Sequence, residues 1–122
     1  MEFYFLELDR SLLILSADGG LNADTATDFV QQLESLIKAG AKQIIIDCTN
    51  LNYISSYGVG MLLRIHKKLA RHGGDVKIAA PQSRVLQVLT LLRMGQVFQI
   101  YSDVNAARLA FRQPDQASHE SK

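Results

Sequence analysis

Apolar and polar positions along the first half of the chain indicate a strand pair followed by a helix. Two short apolar runs, FYFLEL and LLILSA, flank a polar break at residues 9–11, which predicts a hairpin of two β-strands. After the glycine pair at 19–20 the apolar residues between 26 and 37 recur at helical spacing. This helix should be capped by Asn22 or Asp24 and should end at Gly40.

The rest of the chain alternates between strand and helix patterns. The run AKQIIIDC contains three successive isoleucines, which is typical of a strand covered on both faces in a parallel sheet. We then expect, in order, a helix over 56–71, a short strand VKIAA, a helix that opens at Ser83 and ends at Gly95, a strand VFQIY, and a helix from Asp103 to about Phe111. The buried side of the helix over 56–71 should hold Val59, Leu62, Leu63, His66 and Leu69.

This order of elements predicts an α/β fold with parallel pairing and right-handed crossovers. An antiparallel hairpin precedes the alternating part, so the sheet is mixed, and about four helices cover it. The pattern alone leaves open whether the helices cover one face of the sheet or both. Residues 1–112 are expected to form one domain, and the polar tail 113–122 is expected to be flexible.

Charge and cysteine content narrow the class of protein. The chain has 13 Lys and Arg against 12 Asp and Glu, so it lacks the basic footprint of a nucleic-acid-binding protein. No apolar stretch approaches the roughly 18 residues of a membrane span, and the N-terminus lacks the basic region of a signal peptide. One cysteine, Cys48, excludes an internal disulfide and fits a reducing compartment. We therefore expect a cytoplasmic protein that binds neither nucleic acid nor membrane.

Motifs for catalysis are incomplete. The segment GVG at 58–60 lacks the third glycine of a dinucleotide fingerprint, because Leu63 occupies that position. Ser56 does not lie in a nucleophile elbow, which needs a glycine where Ile54 stands. The three histidines show no metal-ligand spacing. Asp47 could be the acceptor of a phosphorylated receiver domain, but the acidic pair that would hold magnesium is missing. We expect no catalytic residue, metal or cofactor.

The stretch IIIDCTNLNYISSYGVGMLL resembles the STAS family, the anti-sigma factor antagonists of bacteria. The later strand GGDVKIA accompanies it, and the resemblance extends from the opening hairpin to AARLAF. It implies a small mixed sheet with helices packed mainly on one face. It also implies partner switching, in which the unphosphorylated protein binds an anti-sigma factor or a serine kinase of the histidine-kinase-like ATPase superfamily. Phosphorylation of the motif serine separates the complex, and a serine phosphatase resets it.

The resemblance assigns roles to individual residues. The phosphoacceptor aligns with Ser56, Asp47 would support it, and the partner-binding residues would be Ser55, Tyr57, Gly58 and Met61. The first turn of a helix tolerates added negative charge, which agrees with an acceptor at that position. Tyr57 and Ser55 depart from the family pattern, which has a small residue and often Asp at these positions.

Other interpretations remain open. A serine pair before a helix is also typical of an N-cap, so Ser55 competes as cap or acceptor. Asp47 can equally be a turn-forming carboxylate, and Gly58 can serve close packing of the helix on the sheet. At the level of the whole protein, the second hypothesis is a STAS accessory subunit of a transport ATPase without a phospho-switch. The third is an enzyme or receiver that uses Asp47.

Overall fold

The computed structural model describes residues 12–112 and, as backbone only, residues 2–7. Strand β1 (Glu2–Glu7) pairs antiparallel with β2 (Leu12–Leu21), from Glu2 opposite Asp18 to Glu7 opposite Leu13. This confirms the predicted hairpin, whose polar break at 9–11 lies outside the described residues. The predicted tail, 113–122, also lies outside them.

A mixed sheet with strand order β1-β2-β3-β5-β6 forms the centre of the domain. After the hairpin the elements are α1 (Ala26–Lys38), β3 (Gln43–Asp47), β4 (Leu51–Ile54), α2 (Ser56–Arg71), β5 (Asp75–Ala79), α3 (Ser83–Leu91), β6 (Gln99–Tyr101) and α4 (Val104–Arg112). Three neighbouring pairs in this sheet are parallel: β2 with β3, β3 with β5, and β5 with β6. The α/β class and the four helices are therefore confirmed.

Helices α1, α2 and α3 cover one face of the sheet, and α4 covers the other. The larger core places alternate strand residues against the three helices; these strand residues include Leu13, Leu15, Ile44, Ile46, Val76 and Ile78. The residues between them, among them Leu12, Ile14 and Ile45, pack against Ala107 and Phe111 of α4. Because successive side chains of a strand point to opposite faces, the unbroken isoleucines of β3 are buried on both sides. The arrangement agrees with helices mainly on one face.

Helix α2 has the predicted bounds, and three of its five predicted buried residues, Val59, Leu62 and Leu69, are buried. Its buried residues are Gly58, Val59, Leu62, Ile65 and Leu69. Leu63 and His66 were predicted to be buried, but they lie at the edge of this stripe and are partly exposed. The His66 ring packs edge-on against Phe98, with 5.3 Å between the ring centroids. Ile65 takes the central position because it lies one turn from both Leu62 and Leu69.

Strand β4 (Leu51–Ile54) was not predicted from the sequence. Strand β2 continues through the glycine pair to Leu21, beyond the end of β3. The free edge of this extension pairs in parallel with β4, with a register irregularity between Gly19 and Gly20. Gly19 has φ of 100°, a left-handed conformation that favours glycine. The glycines therefore bend β2 rather than end it.

The ends of the other helices are partly as predicted. The predicted cap of α1 at Asn22 or Asp24 is wrong, because the N-cap is Thr25 and its side chain makes no capping hydrogen bond. The side chain of Asn22 instead accepts hydrogen bonds from the backbone N–H groups of Asp24 and Thr25 in the turn before α1. Gly40 follows the helix with φ of 113°, as predicted for its end. The predicted end of the third helix at Gly95 is wrong, because α3 ends at Leu91 and a 3-10 turn follows at Met94–Gln96. Arg93 occupies the left-handed position after α3, with φ of 59°.

Candidate functional site

A backbone hydrogen bond joins the start of α2 to the end of β2. The N–H of Ser55 donates to the carbonyl of Leu21, at 2.9 Å. Because β4 runs parallel to β2, α2 begins at the carboxyl edge of the parallel strands, the edge at which β3 ends in Asp47. The unpredicted strand β4 is therefore the element that presents the serine pair at this edge.

Ser55 caps α2. Its backbone is extended, with φ of −91° and ψ of 167°, and its Oγ accepts a hydrogen bond from the N–H of Gly58 at 3.0 Å. The same hydroxyl lies 3.4 Å from the carbonyl oxygen of Leu21, to which it donates. Both hydrogen-bonding functions of the hydroxyl are thus used by the fold, and the residue is half-buried.

Ser56 is the first residue of α2 and is exposed. The N–H groups of Ser56 and Tyr57 have no intrahelical acceptor, as is general for the first turn of a helix. No acidic side chain lies in the first turn of α2 to offset the positive end of its dipole. This helix end therefore favours a negatively charged group in its first turn.

Two tyrosines flank this helix end. Tyr53, on β4, is 47% exposed, and Tyr57, next to Ser56, is 46% exposed. Met61, one turn further along α2, is partly buried and packs against the main core. The sequence interpretation included Tyr57 and Met61 but missed Tyr53, because β4 itself was missed. In LNYI the two outer residues are buried and the two inner ones exposed, so the segment lacks the alternation that predicts a strand.

Gly58 belongs to the interior and not to the exposed surface. A Cβ added to it would lie 2.6 Å from the carbonyl oxygen of Leu21 and 3.1 Å from side-chain atoms of Leu21 and Ile54. The assignment of Gly58 as a partner-binding residue is therefore corrected, and the close-packing alternative explains it. Around Gly60, by contrast, no described atom beyond its own turn of the helix lies within 4 Å of such a Cβ. Gly60 is the glycine of the pair that a partner could approach.

Asp47 forms a turn with Thr49. One oxygen of its carboxylate accepts hydrogen bonds from the N–H of Thr49, at 3.0 Å, and from its hydroxyl, at 2.6 Å. The carbonyl of Thr49 in turn accepts from the side chain of Gln82, at 2.8 Å. Asp47 and Ser56 lie at the same sheet edge, but the described hydrogen bonds of Asp47 hold the turn and do not reach the serine.

The described part of the chain offers little for catalysis. Burial raises the pKa of the Cys48 thiol from 9.0 to about 12, with a smaller contribution from the charge of Asp47, so the reactive thiolate is disfavoured. Within residues 12–112 no three His, Cys, Asp or Glu side chains come together as metal ligands. In the same part of the chain, no helix is long and apolar enough to cross a membrane.

Comparison with known proteins identifies the family. A family model described as the STAS domain matches residues 6–107. The chain belongs to the STAS domain family. Among curated relatives of this STAS protein is BtrV of Bordetella bronchiseptica, a candidate anti-sigma factor antagonist. It is 25% identical over 109 residues, which cover 88% of this chain and 94% of BtrV.

Solved structures show the same fold. A candidate anti-sigma factor antagonist from Thermotoga maritima superposes with a TM-score of 0.85 at 23% identity, over 90% of this chain and 94% of that one. The anti-sigma factor antagonist SpoIIAA in its unphosphorylated form superposes with a TM-score of 0.81 at 19% identity, over 91% and 96% of the two chains. SpoIIAA from Bacillus is also known in a phosphorylated form, which matches with a TM-score of 0.70 at 16% identity, over 89% and 99%. At these identities the likeness establishes the fold.

Proposed function

We propose that this STAS protein is an anti-sigma factor antagonist that acts by partner switching. With a free hydroxyl on Ser56 it binds an anti-sigma factor or a serine kinase of the histidine-kinase-like ATPase superfamily. Phosphorylation of Ser56 releases the partner, and a serine phosphatase restores binding. The names of the curated relatives support the role of antagonist, and the geometry at the start of α2 supports the switch.

The observation that carries the proposal is that the two serines differ in role: one caps α2, and the other is exposed at its first position. Ser55 uses its hydroxyl to cap the helix and to donate to the carbonyl of Leu21, so a phosphate on it would remove the donated bond and bring negative charge against that carbonyl oxygen. Ser56 is exposed at the first position of α2, where a phosphate can accept hydrogen bonds from backbone N–H groups. The fold therefore tolerates a phosphate on one serine and resists it on the other.

Charge and exposure explain how the phosphate would act. Tyr53 and Tyr57, close to Ser56 in the sequence, are about half exposed, and exposed tyrosines are typical of interface centres. Phosphoserine adds about −1.5 to −2 charge at neutral pH. A partner packed over the tyrosines would have to bury that charge, which is costly without a cation to pair it. We assign the partner-binding surface to Ser56, Tyr57 and Met61, together with Tyr53 and Gly60.

The other hypotheses receive less support. The curated relatives are named as antagonists, and no feature of the described residues favours a transport-ATPase subunit. We propose a binding protein of the cytoplasm and not an enzyme, because the hydroxyl of Ser56 has no described base beside it and the carboxylate of Asp47 is held in a turn. A supporting role of Asp47 for the acceptor stays part of the proposal, acting through the shape of that turn.

The test is the intact mass of the purified protein after incubation with Mg-ATP and lysate of the source organism. We expect the mass of one phosphate to be added to the wild type and to Ser55→Asn, which keeps a cap but removes the hydroxyl. We expect no addition to Ser56→Ala. Phosphorylation of Ser56→Ala together with loss of phosphorylation in Ser55→Asn would contradict the assignment.

A further inference from the structure

We propose that a groove between α1 and α2 binds an acidic polypeptide segment of the partner. Two adjoining depressions between these helices share Glu34 and Lys68. Together they form what we name the basic groove, lined by six cationic side chains: Lys38, Lys42, Arg64, Lys67, Lys68 and Arg71. The inference rests on the proposed function, because it names the chemistry of a partner that also contacts the start of α2.

The basic groove is far more positive than the protein as a whole. Six cations and the one carboxylate of Glu34 give it an excess of five positive charges, whereas the whole chain has a net charge of +1. The rest of the chain therefore carries a net charge of −4. Helix α2 contains no Asp or Glu at all. Such a concentration of one sign in a concave surface raises the local concentration of oppositely charged ligands.

Glu34 organises the centre of the groove without neutralising it. One of its carboxylate oxygens lies 3.3 Å from Nη2 of Arg64 and 3.2 Å from Nζ of Lys68. A single carboxylate can balance only one of these two cations. The Nζ of Lys42 donates to the carbonyl of His72 at one end, while the exposed side chains of Lys67 and Arg71 take no part in the Glu34 pairs. The groove thus holds an uncompensated positive field.

The groove is continuous with the proposed partner surface. On α2, Tyr57, Gly60, Arg64, Lys67 and Arg71 follow one another at spacings of three or four residues, so they share one side of the helix. At 1.5 Å per residue this line is about 21 Å long, the length of roughly six residues of extended chain. Gly60 lies between the tyrosine and the first cation and leaves room for a backbone. A partner bound at Ser56 can therefore extend an acidic segment along α2.

A polypeptide fits better than the other polyanions. A nucleic acid is a long rod of phosphates, and the sequence outside the basic groove has a net charge of −4, which does not favour a polyanion. A membrane is flat, whereas these cations line a depression with Glu34 on its wall. A short segment rich in Asp and Glu can enter the depression and be placed by carboxylate contacts with arginine and lysine.

The test is a titration of the ¹⁵N-labelled protein with a deca-glutamate peptide, followed by amide chemical shifts. At an ionic strength of about 0.01 M, where the screening length is about 30 Å, we expect the largest shifts in the groove, including the amides of Gly60, Leu63 and Arg71. Double charge reversal, Lys67→Glu with Arg71→Glu, should weaken binding at least about tenfold. The matched control, Arg93→Glu with Arg112→Glu, makes the same change in net charge at exposed positions outside the groove and should weaken binding clearly less than the groove variant does.

Three outcomes would overturn the inference. The first is chemical-shift changes spread over all surface lysines, and the second is an equal loss of binding in the two double variants. The third is groove-dependent binding of phosphatidylserine vesicles or of single-stranded DNA by a protein that does not bind the peptide. The titration is repeated on Ser56→Ala, for which the same affinity is expected. A groove that fails this test leaves the phosphorylation experiment untouched. A negative phosphorylation experiment likewise leaves the peptide titration valid, so the two proposals fail separately.

Discussion

Replacing Gly58 by alanine tests the junction that presents Ser56. The added methyl group would lie 2.6 Å from the carbonyl oxygen of Leu21, closer than carbon and oxygen approach without a shift of one of them. That oxygen cannot move freely, because it accepts the 2.9 Å hydrogen bond from the N–H of Ser55 that holds α2 to β2. The side chains of Leu21 and Ile54, 3.1 Å away, close the remaining space.

The expected magnitude follows from two opposing effects. Overpacking of a well-packed site typically costs about 1–3 kcal/mol. Alanine in place of glycine within a helix raises the free energy of unfolding by up to about 1 kcal/mol. We therefore expect Gly58→Ala to lower the free energy of unfolding by about 1–2 kcal/mol, which for a chain of 122 residues corresponds to a melting temperature lower by about 3–10 °C.

Gly60→Ala is the matched control, two residues along the same helix. Among the described residues, no atom outside its own turn of the helix lies within 4 Å of its added methyl group. Only the helix-propensity gain remains, and the free energy of unfolding should rise by about 0.5–1 kcal/mol. Chemical denaturation monitored by circular dichroism measures both changes. Equal stability of the two variants would refute the close contact between Gly58 and Leu21, and with it the account of how α2 is seated on the sheet.

Three further predictions concern stability and reactivity. Ser55→Ala should lower the free energy of unfolding by about 1 kcal/mol through loss of the helix cap, whereas Ser55→Asn should stay within a few tenths of a kcal/mol of wild type, as measured by denaturant titration. Arg93→Gly should raise the free energy of unfolding by about 1 kcal/mol, because the left-handed backbone at this position strains any side chain. An unchanged midpoint of the denaturant titration would argue against that conformation. Cys48 should resist alkylation at pH 8 in the folded protein and react once guanidinium unfolds it. The pKa of Cys48 is about 12 in the folded protein and near 9.0 in the unfolded chain. The free energy of unfolding should therefore fall as the pH rises above 9, and Cys48→Ala should lack the part of this pH dependence that Cys48 causes.

The periodicity of the sequence predicted the elements that bury a continuous apolar face. Helix α2 has its predicted bounds because its N-cap and its apolar stripe both depend on residues that are close together in the sequence. The burial of Ile44, Ile45 and Ile46 on both faces of the sheet was likewise evident from their unbroken run. Local patterns of this kind depend on neighbours in the sequence, so they can be identified without the tertiary structure.

Strand β4 could not be predicted in the same way. Its four residues pair with an extension of β2 that exists only because the chain continues through Gly19 and Gly20, and glycines more often end a strand. The role of Gly58 depends on the same distant contact, with a carbonyl 37 positions earlier in the chain. The family resemblance located Ser56, but only the structure distinguishes the capping serine from the exposed one.

One binding measurement tests the central claim most directly. The cognate anti-sigma factor is titrated by calorimetry into three samples: unphosphorylated protein, protein phosphorylated at Ser56, and Ser56→Ala. The account predicts that the first and third bind alike and that the phosphorylated sample binds at least about tenfold more weakly, a loss of about 1.4 kcal/mol or more. Equal affinity of the phosphorylated and unphosphorylated samples would contradict partner switching through Ser56.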